Sequence, residues 1–210
     1  MKKCLANSVV ICGSKSSTNL LPLLPALSKI MRTDSATGED VGESLVLNEN
    51  VLERLVAFLE DCAGGELPSA AGVMWGCDVL EAGARWMSRD VRSSVAGKVA
   101  ALMPAAAKRG PPDVVDLVYL VRAFFNVCGG STNVRLNDTV VGQVRGACEL
   151  VFSGRMLAVC SGGDHSGNFT DLCYMIETGR GKGELLELVC GCSGAFEDIR
   201  RFVQQQSLLS

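Results

Sequence analysis

A single histidine, His165, would have to carry any Ser–His–Asp or Cys–His arrangement in this chain. It sits in Ser161-Gly162-Gly163-Asp164-His165-Ser166-Gly167, a loop composition that leaves its ring in solvent. Ten cysteines are present, yet no CxxC occurs, and the close pair Cys190 and Cys192 has no ligand set of zinc spacing around it. Cys62, Cys77, Cys128, Cys148, Cys173 and Cys190 fall inside apolar periodic runs, where a thiol behaves as a small hydrophobe. So many buried free thiols imply a reducing compartment. Gly179-Arg180-Gly181-Lys182-Gly183 lacks the spacing and the preceding strand of a phosphate loop, and reads as a turn between helices. The acid pairs Glu39–Asp40, Glu60–Asp61 and Glu197–Asp198 are adjacent, and adjacent residues do not face each other on a helix. The chain is therefore expected to be no enzyme, with no catalytic residue, cofactor, metal or small-molecule substrate.

The arginines are a different matter. Arg85, Arg89 and Arg92 follow the spacing i, i+4, i+7, and Arg122 and Arg145 continue in the same two units. A guanidinium contacts phosphate through two parallel N–H groups, and a row of them can track a nucleic-acid backbone. These five are the candidate RNA-binding residues. Residues 82–160 carry ten basic groups against five acids, a net of +5, whereas 34–81 carry eleven acids against Arg54 alone, a net of −10. The acidic stretch suits a basic protein partner, so a purely protein-binding array without RNA contact is the alternative. Stacking platforms are scarce: Trp75, Trp86, Tyr119 and Tyr174 are the available rings, and the first three suit a core.

Helical periodicity recurs along the chain and strand alternation does not. Leu20, Leu23, Leu24, Leu27, Ile30 and Met31 share one face, with Pro22 and Pro25 near its start. A loop is expected from Thr33 to about Ser44. Val51, Leu52, Leu55, Phe58, Leu59 and Cys62 form the next stripe, opened by Asn50 with Glu53 and stopped by Gly64–Gly65. Ser69 opens a third helix, Asp90 a fourth, Asp113 a fifth, and Asn137 or Asp138 a sixth. Phe169 to Ile176 and Leu185 to Val189 mark two more, and Phe196 to Val203 a closing one.

Second members of successive helix pairs start near 50, 90, 137 and 182. HEAT and armadillo units repeat every ~40–47 residues, and each must stack on a neighbour to bury its apolar face. The expected fold is all-α, a HEAT/armadillo-like α-solenoid of about four helix pairs over 18–203, with a compact helical bundle as the alternative. An N-terminal segment 1–17 and a tail 204–210 lie outside it. No apolar stretch reaches the ~18 residues needed to span a bilayer, so no membrane partner is expected. Met1-Lys2-Lys3 and the apolar run after it faintly resemble a signal peptide, interrupted by Asn7 and Ser8.

Asn50-Val-Leu-Glu-Arg-Leu-Val-Ala-Phe-Leu59 and Asp116-Leu-Val-Tyr-Leu-Val-Arg-Ala-Phe125 resemble the degenerate helical repeats of organellar RNA-processing proteins. They are similar to those of the kinetoplastid RNA-editing substrate-binding complex, its sixth subunit in particular. The resemblance covers 18–203 in style and rests on no diagnostic motif, so no binding residue is carried over from it. It implies a non-catalytic scaffold in RNA processing or editing, bound to RNA and to other subunits in the mitochondrial matrix. The short length and the absence of a strong presequence depart from that pattern. Without it, the thiols alone indicate a reducing compartment such as the cytoplasm.

Overall fold

A computed structural model describes residues 21–33, 36–47, 49–64, 70–108, 114–129, 134–152, 166–178 and 182–190, with Arg201 and Gln204. The expected N-terminal segment 1–17, His165, and the closing helix and tail beyond Cys190 (those two residues apart) lie outside the described residues. Among the described residues the chain is all-α. Its helices are α1 (Leu24–Met31), α2 (Ala36–Leu47), α3 (Glu49–Gly64), α4 (Ala70–Gly83), α5 (Arg89–Lys108), α6 (Val114–Cys128), α7 (Asp138–Val151), α8 (Ser166–Thr178) and α9 (Lys182–Cys190), with a 3-10 turn at Ala84–Trp86.

The helices lie in two rows. In the first, α1 packs on α4, α4 on α6, and α6 on α8. In the second, α3 packs on α5, α5 on α7, and α7 on α9. The rows face each other through α3–α4, α5–α6, α6–α7 and α8–α9, and α2 wedges against α1, α3 and α4. Each helix lends an apolar stripe to this interior. Leu55, Phe58, Leu59 and Cys62 are buried on α3, Val73, Cys77 and Leu80 on α4, and Val144, Cys148 and Val151 on α7. Helix α6 is buried almost all round, from Leu117 through Phe124 and Phe125 to Cys128, because it has neighbours in both rows. Each such Leu, Val or Phe side chain contributes about 1.5–3 kcal/mol by leaving water.

The helix ends follow local chemistry. Asn137 caps α7, its side-chain oxygen accepting from the Val140 N–H at 2.9 Å, a contact of about 1 kcal/mol. Gly129 stops α6 with φ +66°, and its N–H donates back to Phe125 and Asn126 at 3.2 and 3.0 Å. Two expected caps are displaced. Asp90 lies inside the first turn of α5, and Ser88 accepts from the Val91 N–H instead. Asn50 lies inside α3, which begins at Glu49. Ser69 and Asp113 lie outside the described residues.

The loop expected from Thr33 to Ser44 is largely helix α2. Its glycines suggested a turn, but they serve close packing. A Cβ on Gly38 would crowd the carbonyls of Ile30 and Thr33, and one on Gly42 would overlap the Trp86 ring. The loop around His165 is also shorter than expected, since Ser166 already opens α8. Leu188 differs from its neighbours: Leu185, Leu186 and Val189 are buried, while Leu188 is exposed.

Candidate functional site

Charge gathers near the C-terminal ends of α1, α4 and α6. Asp78 and Glu81 stand one turn apart on α4 and face Arg122 and Asn126 on α6, also one turn apart. Arg122 donates from Nε to Glu81 at 2.8 Å and from Nη2 to Asp78 at 2.5 Å. Asn126 donates to the other Glu81 oxygen at 2.9 Å and accepts from Lys182 Nζ at 2.6 Å. Arg32, just past α1, reaches Asp78 at 3.3 Å. One connected seam therefore takes residues from α4, α6, the start of α9 and the chain just after α1.

The electrostatics follow from burial. Burial pushes the Glu81 carboxyl above the usual carboxylate range, and the Arg122 guanidinium pulls it back down. Burial alone would lower Arg122, but Glu81 and Asp78 outweigh it and hold the guanidinium above its ordinary value. Burial lowers Lys182, partly offset by Glu81. Tyr119 lies 5.3 Å from the Arg122 guanidinium, and burial raises its phenol. Beneath the seam, burial raises the Cys77 thiol well above its ordinary value, with Glu81 adding to the effect. Both partners of the central pair are nearly enclosed, and each Glu81 oxygen accepts a hydrogen bond, so this is a structural ion pair.

The five arginines do not share one surface stripe. Arg85 lies in the 3-10 turn, Arg89 opens α5, and Met87 between them is extended, so the i, i+4, i+7 spacing crosses a break in the helix. Arg85 stacks 4.0 Å from the Trp86 ring and donates to the Met31 carbonyl at 2.6 Å and the Thr33 carbonyl at 3.3 Å. It thereby caps the end of α1, whose last carbonyls have no partner within the helix. Arg92 donates to the Met87 carbonyl at 3.1 Å. Arg122 is the centre of the seam. Arg145 donates to the Val189 carbonyl at 2.7 Å and caps the end of α9. Arg89 is exposed in the first turn of its helix. Of the aromatic residues, Tyr174 is exposed, Tyr119 is buried, and Trp75 and Trp86 pack against the core.

A second feature gave no sequence signal of chemistry. Between α5 and α7 runs an apolar groove of about 550 Å³. Met103, Pro104 and Ala107 form one wall, and Thr139, Gly142, Gly146 and Leu150 lie along the other. Pro104 has no N–H for the Ala100 carbonyl, one turn back in α5. A Cβ added at Gly142 or Gly146 would meet nothing within 4 Å. Each of these interior glycines costs roughly 0.5–1 kcal/mol of helix stability relative to alanine.

Cys62, Cys77, Cys128, Cys148 and Cys173 are buried. Among the described residues no group of three or more His, Cys, Asp or Glu could hold a metal ion, and no helix is long and apolar enough to cross a membrane. Comparison with family models, with curated proteins and with solved structures returns no match.

Proposed function

We propose that this chain is a non-catalytic helical-repeat scaffold that binds partner proteins, with its acidic α2–α3 end facing a basic partner. The two-row stacking is what an array of helix pairs requires, and such arrays offer surfaces for binding. The observation that carries the reading is how the two charges are engaged. Arg85, Arg92, Arg122 and Arg145 are turned onto carbonyls and carboxylates of the chain itself. Glu39, Glu43, Glu53 and Glu60 are exposed on α2 and α3, with Lys98 at 3.7 Å from Glu53. Exposed charge of one sign steers an oppositely charged partner.

The RNA-facing reading rests on the net of +5 over 82–160, and of its five arginines Arg85, Arg89 and Arg145 are exposed. One experiment separates the two. The protein is titrated with a lysine-rich peptide and with a mixed-sequence RNA at low and moderate salt. The scaffold reading expects peptide binding that is lost in the triple variant E39K/E43K/E60K and weakened by salt. RNA binding at low salt that falls in R89A would favour the RNA reading instead.

A further inference from the structure

We propose that the groove between α5 and α7 is the contact through which two copies of this chain pair about a two-fold axis. The groove is self-complementary. Asp138, Gly142, Gly146 and Leu150 form a single i+4 row along α7. Such rows are the ridges and grooves by which helices interlock. The row carries both a hole and a knob: open space lies over Gly142 and Gly146, and the Leu150 side chain is 46% exposed. Gly142 and Leu150 stand symmetrically, one turn on either side of Gly146. A two-fold axis over Gly146 therefore sets Leu150 of each copy above Gly142 of the other. Met103, Pro104 and Ala107 close the apolar wall beside each contact.

Charge fits the same axis. Helices α5 and α7 run side by side and parallel, with the Ser93 hydroxyl accepting from the Arg135 N–H and Gly97 against Val140, so Lys108 at the end of α5 lies level with the end of α7. Asp138 stands at the opposite end of that row. An antiparallel second copy brings Lys108 of each chain toward Asp138 of the other, an opposite-charge pair at both rims, and it opposes the two α7 dipoles. The glycines then have a physical reason. Among the described residues nothing approaches them, whereas a helix crossing over Gly146 requires the missing side chains. An isologous contact of this kind closes on itself as a dimer.

The test is sedimentation velocity of the full chain over a concentration series. The parent is expected to form a dimer. Gly146→Leu, which fills the hole, and Leu150→Lys, which replaces the knob, should each weaken it about thirtyfold or more. Because open space surrounds Gly146, G146L should melt no lower than the parent, which separates a lost contact from a lost fold. Leu188→Lys removes another exposed leucine, 56% exposed and outside the groove, and should leave the dimer intact. K108E and D138K should each weaken the dimer, and the double variant should recover it. A parent that stays monomeric overturns the proposal and leaves the groove to a helix of another protein. A dimer that G146L leaves unchanged, or that L188K disrupts as much as L150K does, overturns it as well. Neither outcome touches the acidic α2–α3 end, so the scaffold reading stands or falls separately.

Discussion

The α4–α6 and α5–α7 contacts join neighbouring helices in the same two-row stack, and their chemistry is opposite. The first is closed by Asp78, Glu81, Arg122 and Asn126, whose polar atoms meet one another. The second ends in an apolar groove whose glycines face open space. Helices can adhere without ions, as the second contact demonstrates, so the seam's distinctive effect is on register. A carboxylate buried on α4 finds its guanidinium only when α6 sits at one height, and Asn126 with Lys182 extends the same condition to α9. An apolar groove sets no such condition, and leaves surface over.

Removing Arg122 should produce the largest effect. Arg122→Ala leaves Glu81 enclosed beside Asp78 with only the half-exposed Arg32 guanidinium, 4.0 Å away, and breaking a buried pair from one side costs about 3–5 kcal/mol. Chemical denaturation should report a loss of that size. Removing both charges at once, as R122M/E81M, should recover part of it, because the enclosed carboxylate goes with its partner while Asp78 keeps Arg32. If the single variant is as stable as the parent, the seam is a solvated surface feature and the contrast with the groove disappears.

Alkali should reach the core thiols next. Burial pushes the Cys128 thiol from 9.0 up to about 12, against a smaller downward pull from Arg92. Unfolded, the thiol ionises from about pH 9. Between those values the folded chain holds the proton and the unfolded chain releases it, so stability falls as pH rises, by up to about 1.4 kcal/mol per pH unit. Cys77 acts in the same direction. Lys182 opposes them: its lowered value means that the unfolded chain holds the proton more tightly, so its contribution rises with pH in the window below 10.5. Melting curves from pH 8 to 11 should therefore slope downward, and less steeply in C128A. A flat profile in the parent would mean that the thiols are in contact with water.

Much of the fold was legible in the sequence because apolar residues at helical spacing have few alternatives to burial. The stripe from Leu55 to Cys62, the stop at Gly129 and the cap at Asn137 are local signals, decided within a turn or two. Helix α2 was not legible, because Gly38 and Gly42 look like loop residues until Ile30 and Thr33 lie against the first and Trp86, more than forty residues away, against the second. The arginine series does not share one helix face, for a related reason. Spacing measures a face only while the helix continues, and it breaks between Arg85 and Arg89. Composition also counts a charge without recording what that charge meets. Arg122 and Arg145 have their partners 41 and 44 residues away. The groove left no mark at all, since glycine and alanine on a helix surface resemble ordinary tolerance.

The smallest expected effect, and the one that separates the two kinds of glycine, comes from single methyl groups. Gly42→Ala drives a Cβ into the indole of Trp86, which is packed against the core and stacked by Arg85. Neither ring nor backbone yields freely there, so the change should destabilise by about 1–3 kcal/mol. Gly146→Ala places the same methyl over open space. There the usual helix preference applies, and the isolated chain should gain roughly 0.5–1 kcal/mol. The two variants differ by one methyl from the same parent, and both sites lie inside a helix, so propensity favours alanine equally at each. Any difference in sign must come from what lies above the backbone. Denaturation midpoints measured at a protein concentration low enough to keep copies apart would read it directly. Two losses of equal size would mean that the space over Gly146 is already filled within one chain, and the groove with it.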